Sequence, residues 1–153
     1  MNSPKWLGEI SLNWLSIGIP LFVISLLVWN IRSDNSTRLV IASKVGNIKL
    51  CEQLLASGTN PNSVRGTNTP LIVAVKAQHY DLVRVLLEKG AKVEIDGGSG
   101  FTPLIWAVRN NDLSMAAMLL KYGANPQRTN VDGKTPYEES LSNSAIRKLL
   151  SNE

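Results

Sequence analysis

The chain is poor in the residues that carry chemistry. It has one cysteine, Cys51, and one histidine, His79. A lone cysteine excludes a disulfide framework, and together with a lone histidine it leaves no zinc-ligand cluster. With 11 glycines and 7 prolines, neither a collagen-like nor a proline-rich chain is in question. Aromatic residues make up 6%, and 16 basic against 12 acidic side chains leave a net charge of +4. So modest a charge, without a stacking platform, does not suit nucleic-acid binding. No nucleophile and base stand at a usable spacing, and neither a P-loop nor a Gly-x-Gly-x-x-Gly run is found. The expectation is a protein that is not an enzyme and uses no cofactor, no metal and no small-molecule substrate. The 44% of hydrophobic residues is too much for a disordered chain, and 153 residues make one domain of ordinary size with room for an appendage.

Charge is also unevenly missing. Glu9 and Arg32 bracket 22 residues without an ionisable side chain, of which 15 are Ile, Leu, Val, Phe or Trp. As a helix this run reaches about 33 Å, enough to cross the ~30 Å hydrocarbon core of a bilayer. Trp6, Trp14 and Trp29 stand toward its ends, where indoles favour the headgroup boundary. Gly18 and Pro20 are tolerated in a spanning helix. The expectation is a flank at 1–9, a transmembrane helix at 10–31 and a short linker at 32–37. A cleaved signal peptide competes with this reading, although the apolar run is long for one and no Ala-x-Ala site follows. Arg32, Arg38 and Lys44 after the run, against Lys5 before it, place the remainder on the cytoplasmic side of a single-pass membrane protein. Export to a periplasmic or other extracytoplasmic space is the alternative. Asn35-Ser36-Thr37 forms a glycosylation sequon that would matter only after translocation.

Beyond the apolar run the chain repeats itself. Thr69-Pro70-Leu71 returns as Thr102-Pro103-Leu104 and as Thr135-Pro136-Tyr137, in steps of 33 residues. Ala42, Ala74 and Ala107 keep the phase, as do Gly58, Gly90 and Gly123, and the Leu pairs ending at 55, 87 and 120. Thr suits a helix N-cap and Pro the first helical position. Leu71 with Ala74, and Leu104 with Ala107, share one helix face. A second apolar helix follows in each unit and stops where Gly90 or Gly123 accepts a left-handed conformation. The segments after those glycines have the composition of exposed turns.

These landmarks resemble the ankyrin repeat. The resemblance covers 36–153, with a divergent first unit at 36–67, two well-matched units at 68–100 and 101–133, and a truncated capping unit at 134–153. It implies an all-α solenoid of paired antiparallel helices with finger loops, behind the N-terminal transmembrane helix. Each unit leaves an apolar face that only a neighbour can bury. The family's usual His after Thr-Pro-Leu is replaced by Ile72 and Ile105, which substitutes packing for a hydrogen-bond network.

The resemblance further implies that a partner protein is recognised by the finger tips and the exposed side of the inner helices. The fingers offer Arg65, Asn68, Ser99, Phe101 and Lys134, and Tyr122 is a further candidate contact. Phe101, beside glycines, reads either as an interface anchor or as packing between adjacent fingers. Trp106 reads as half-buried between inner helices. Lys44, Lys76 and Arg109 occupy equivalent positions in three consecutive units, a basic ladder suited to an acidic partner or anionic headgroups, or else a merely solubilising row. Cys51 reads as a small core residue and His79 as a structural hydrogen-bonder. The glycines of Gly97-Gly98-Ser99-Gly100 follow no strand and so make a poor phosphate cradle. The function expected is a membrane-anchored ankyrin-repeat protein mediating protein–protein interaction at the membrane surface. The alternatives are an exported ankyrin-repeat protein and an accessory subunit of a membrane transporter or channel.

Overall fold

The computed structural model describes residues 34–140 and 143–151. Asn35–Glu153 forms one compact unit. Within it the described residues are helical, and their only bridge pairing joins Arg65 to Asn68. The helices follow as α1 (Asn35–Val45), α2 (Ile48–Ala56), α3 (Pro70–Lys76), α4 (Tyr80–Glu88), α5 (Pro103–Arg109), α6 (Leu113–Lys121), α7 (Pro136–Glu139) and α8 (Ser144–Ser151).

The repeated Thr-Pro step explains where three of them begin. Thr69, Thr102 and Thr135 are extended, and the Oγ1 of each accepts from the backbone N–H three residues on, at Ile72, Ile105 and Glu138. Pro follows at the first turn, where no N–H partner is needed. Loss of such a cap costs about 1 kcal/mol. In α7 the carboxylate of Glu138 returns the favour by accepting from the N–H of Thr135, closing a capping box. Those hydrogen bonds hold the Glu138 carboxyl below its usual range. The second helix of a pair is capped in turn by Asn47, Asp112 or Asn143, whose side-chain oxygens accept from Leu50, Met115 and Ile146.

The inner helices α1, α3, α5 and α7 stack side by side, each packed on the next. Ala42, Ala74 and Ala107 lie at these contacts and are at most 2% exposed, so a small side chain permits the approach. Leu39, Leu71, Leu82, Leu86, Leu104, Met115, Leu119 and Ile146 fill one continuous core between inner and outer helices. Ile72 and Ile105 are fully buried, and each such side chain contributes about 1.5–3 kcal/mol. Cys51 belongs to this core, with its Sγ 3.7 Å from the Oγ of Ser43. Burial pushes the thiol up from its ordinary value, the Ser43 contact opposes that, and the nearby Glu52 carboxylate adds to it.

The membrane localisation expected from the sequence is corrected here. Among the described residues no helix is long and apolar enough to cross a membrane. The longest of them, α1, has 11 residues, roughly half of what a bilayer crossing needs. Residues 10–31, on which the single-pass reading rested, lie outside the described residues.

The glycine run at 97–100 has a steric cause. Gly97 has φ +66°, and a Cβ there would stand 2.5 Å from the carbonyl oxygen of Thr67 in the preceding finger. Gly100 has φ +73°, and its Cβ would meet Val131 at 2.7 Å in the following finger. Gly98, at φ +84°, faces open space. The run lets adjacent fingers touch backbone to backbone. Gly98→Ala should therefore cost only the left-handed strain of about 1–2 kcal/mol, whereas Gly97→Ala should cost at least ~1 kcal/mol more, because backbone cannot step aside. Urea midpoints followed by far-UV circular dichroism test this, and equal costs would refute the close-approach explanation. A second expectation concerns Cys51: at pH 8 the folded protein should react with a thiol reagent on the order of 100-fold more slowly than the urea-unfolded chain. Rapid labelling without denaturant would contradict its place in the core.

Candidate partner-binding surface

The three cations of the ladder share one local cause. Lys44, Lys76 and Arg109 each occupy the last turn of an inner helix, α1, α3 and α5. A positive side chain there complements the partial negative charge of the exposed carbonyls. All three are exposed. Side chains of the next unit tie down two of these helix ends. His79 Nε2 lies 3.2 Å from the carbonyl oxygen of Lys44, and Asn110 donates to that of Lys76. His79 is thus a structural link between units. The turn beside it is left-handed at Gly46, Gln78 and Asn111. The carboxamide of Gln78 donates to Asp112 Oδ2 at 3.0 Å, which offsets the strain of a non-glycine residue at that φ.

Between the first two rungs lies a concavity of about 260 Å³ lined by Lys44, Asn68, Val73, Lys76 and Ala77. Its floor is apolar and its rim carries two ammonium groups and an amide. Asn68 is held there by backbone hydrogen bonds exchanged with Arg65 at 2.8 and 3.1 Å. Arg65 itself donates through Nε to Thr37 Oγ1 on α1.

Between the second and third rungs the surface is filled by aromatic rings. Phe101 and Trp106 have centroids 5.6 Å apart and planes at 45°. Lys76 Nζ stands 4.1 Å over the Trp106 ring, and the Arg109 guanidinium lies 4.8 Å over Phe101 and 5.6 Å over Trp106. Each such contact contributes about 0.5–1 kcal/mol at an exposed site. Phe101 is therefore part of a cation–aromatic cluster with an inner helix, and both rings are half-buried.

Beyond the third rung an ion pair closes the row. Arg109 Nε is 3.6 Å from Glu139 Oε2, and the other carboxylate oxygen of Glu139 accepts from Asn130 at 2.7 Å. Glu139 keeps only 12% of its side chain exposed. The sequence alone does not single out Glu139, although the signal was available. Val73, Trp106 and Glu139 stand 33 residues apart, so they form a second column beside the basic one.

The remaining candidates lie elsewhere. Ser99 is taken up in its own turn, donating to the carbonyl of Asp96 and accepting from the N–H of Phe101. Lys134 is exposed beyond the third finger, its N–H bound to Asn130 Oδ1. Tyr122 lines a separate groove of about 580 Å³ with Arg84, Glu88, Ser114, Met118 and Lys121, between outer helices α4 and α6. The structure thus gathers Lys44, Asn68, Lys76, Phe101 and Arg109 along one face and leaves Tyr122 outside it.

The fingers are cross-linked rather than open. The Asn62 side chain accepts from Lys92 N–H at 2.7 Å and donates to the carbonyl of Gly90. One unit later Glu94 accepts from Asn125 N–H, while Arg128 pairs with Glu94 and Asp96 at 3.4 and 3.1 Å. Tyr80, Gln78 and Asp112 form a further polar link, with the Tyr80 hydroxyl donating to Asp112 Oδ2 at 2.7 Å. That bond, with burial, raises the phenol's pKa. Asp112 also caps α6, so this cluster is occupied in joining units. Among the described residues no group of three or more His, Cys, Asp or Glu is placed to hold a metal ion.

Comparison with known proteins agrees with this architecture. The sequence profile of the family described as ankyrin repeats (3 copies) matches residues 39–130. The chain is 45% identical over 56 residues to the ankyrin repeat, SAM and basic leucine zipper domain-containing protein 1 of Equus caballus, which is 36% of this chain and 12% of that protein. It is 41% identical over 71 residues to a putative ankyrin repeat protein of Fowlpox virus (strain NVSL), 45% of this chain and 21% of the viral one. An ankyrin repeat and KH domain-containing protein of Caenorhabditis elegans is 34% identical over 58 residues, 38% of this chain and 2% of that one. The similarity thus spans a small part of each of these proteins. Stacked pairs with Thr-Pro caps, left-handed glycines after the second helix and fingers bridged edge to edge agree with the family match: the chain belongs to the ankyrin-repeat family, whose repeats make protein–protein interaction domains.

Proposed function

We propose that the inner-helix face carrying Lys44, Lys76 and Arg109 is where this domain takes its protein partner, and that the segment it takes is acidic. The observation that carries this reading is the row of three cations in consecutive units with an aromatic platform beside it. No carboxylate stands within ion-pair distance of Lys44 or Lys76 among the described residues, so two of the three charges are unneutralised. Cations in a row raise the rate at which an acidic segment arrives. Trp106, Phe101 and Arg109 supply the residue types that dominate binding energy once water is excluded. The role is binding, not catalysis: the polar groups around the face are spent on capping helices and joining units.

Asn68 and the Lys44–Lys76 concavity form the entry end of this face, and Glu139 marks the far end. Arg65, Ser99 and Lys134 flank it from the fingers and contribute at the edge. Tyr122 is not part of it.

The test is a crosslinking pull-down with the chain as bait. Changing Lys44, Lys76 and Arg109 together to Glu should reduce partner recovery by on the order of 10-fold or more, since opposed charges become like charges. Lys121→Glu on the outer helices should leave recovery unchanged. Circular dichroism of both variants confirms the fold. Equal recovery by wild type and the triple variant would remove the basic face from the binding surface.

A further inference from the structure

Resting on that acidic-partner reading, we infer that this face reads spacing as well as charge: it accepts an extended, polyproline-type segment carrying two glutamates three positions apart.

The argument starts from the stack. The cations stand on successive inner helices packed side by side, and packed helices lie 8–10 Å apart. The face therefore presents two equivalent gaps about one helix spacing apart. The first lies between Lys44 and Lys76, over Val73 and Ala77. The second lies between Lys76 and Arg109, over the Trp106 ring. Lys76 borders both. Each gap is flanked by two positive side chains and floored by apolar atoms, which suits a carboxylate on a short aliphatic stem.

A backbone that serves both gaps must present side chains on one side at the same interval. A β-strand does so every second residue, at about 6.7 Å, which falls short. A polyproline II helix turns once every three residues and rises about 3.1 Å per residue, so every third side chain points the same way at about 9.3 Å. An α-helix is some 10–12 Å across, too bulky to settle on a concavity of about 260 Å³. The polyproline form also leaves its carbonyls unpaired, and Asn68 stands at the rim of the first gap as an amide donor.

The row has a built-in end. Between α5 and α7 the corresponding position is occupied from within, because Glu139, in phase with Val73 and Trp106, already pairs with Arg109. A third carboxylate on the partner meets that carboxylate instead of an open cationic gap. The face therefore counts two.

Fluorescence-polarisation titrations of the full chain with labelled peptides decide the matter. The peptides have one composition, with two glutamates in a proline-rich frame separated by one, two or three prolines. The two-proline spacing should bind at least ~10-fold tighter than either neighbour. Adding a third glutamate at the same interval should leave wild-type affinity unchanged, and should raise it several-fold for Glu139→Gln. Lys76→Gln, which alters both gaps at once, should abolish the spacing preference while circular dichroism shows the fold intact. Equal affinity at all spacings overturns the register and leaves the acidic-partner reading standing. A third glutamate that strengthens wild-type binding overturns the count of two. Failure of every acidic peptide to bind, with partner recovery insensitive to charge reversal, sinks both readings.

Discussion

No helix pair in this domain can bury its own apolar face, and every other feature depends on that. Leu71, Leu86, Leu104 and Leu119 are sealed only because a neighbouring pair covers them. Stacking requires the inner helices to come close, and Ala42, Ala74 and Ala107 supply the clearance. Close stacking then fixes the position of whatever stands at the helix ends. Lys44, Lys76 and Arg109 lie in a row because the core beneath them repeats. Binding chemistry at the surface is in this sense a by-product of packing underneath.

The links between units act in the same direction. His79 reaches back to the end of α1, Asn110 to the end of α3, and the Asn143 side chain donates to Asn111 Oδ1. On the finger side Asn62 and Glu94, one repeat apart, each receive an N–H from the next finger. These bonds satisfy carbonyls and amides that helix ends and turns leave over. They also hold each unit in register with its neighbour, which a non-directional hydrophobic contact cannot do alone.

Much of this could be read from the chain, for a physical reason. Caps, left-handed turns and small interface residues are local requirements, so Thr69, Thr102, Thr135, Gly90, Gly123 and Ala74 carry their structural role in their identity and phase. The ladder was legible too, since equivalent positions in a stack must align. What could not be read were contacts set by side-chain reach across units. The Arg109–Glu139 pair joins the third unit to the shortened last one, where phase is harder to follow. The seating of Lys76 on Trp106 depends on rotamers, and the fate of Phe101 on which of two neighbours it meets. The membrane assignment drew on an apolar run outside the described residues, and none of the short described helices supports it.

The grooved outer side and the strutted inner side have a mechanical consequence. Inner helices and fingers are joined unit to unit by packing, amide bonds and the Arg128 ion pairs, whereas α4 and α6 leave a groove of about 580 Å³ between them. Such a body is stiff along one edge and slack along the other. Bending that widens the slack edge disturbs few bonds, while bending that parts the fingers must break several together. The array therefore flexes like a bound book, opening at its page edges and keeping its spine.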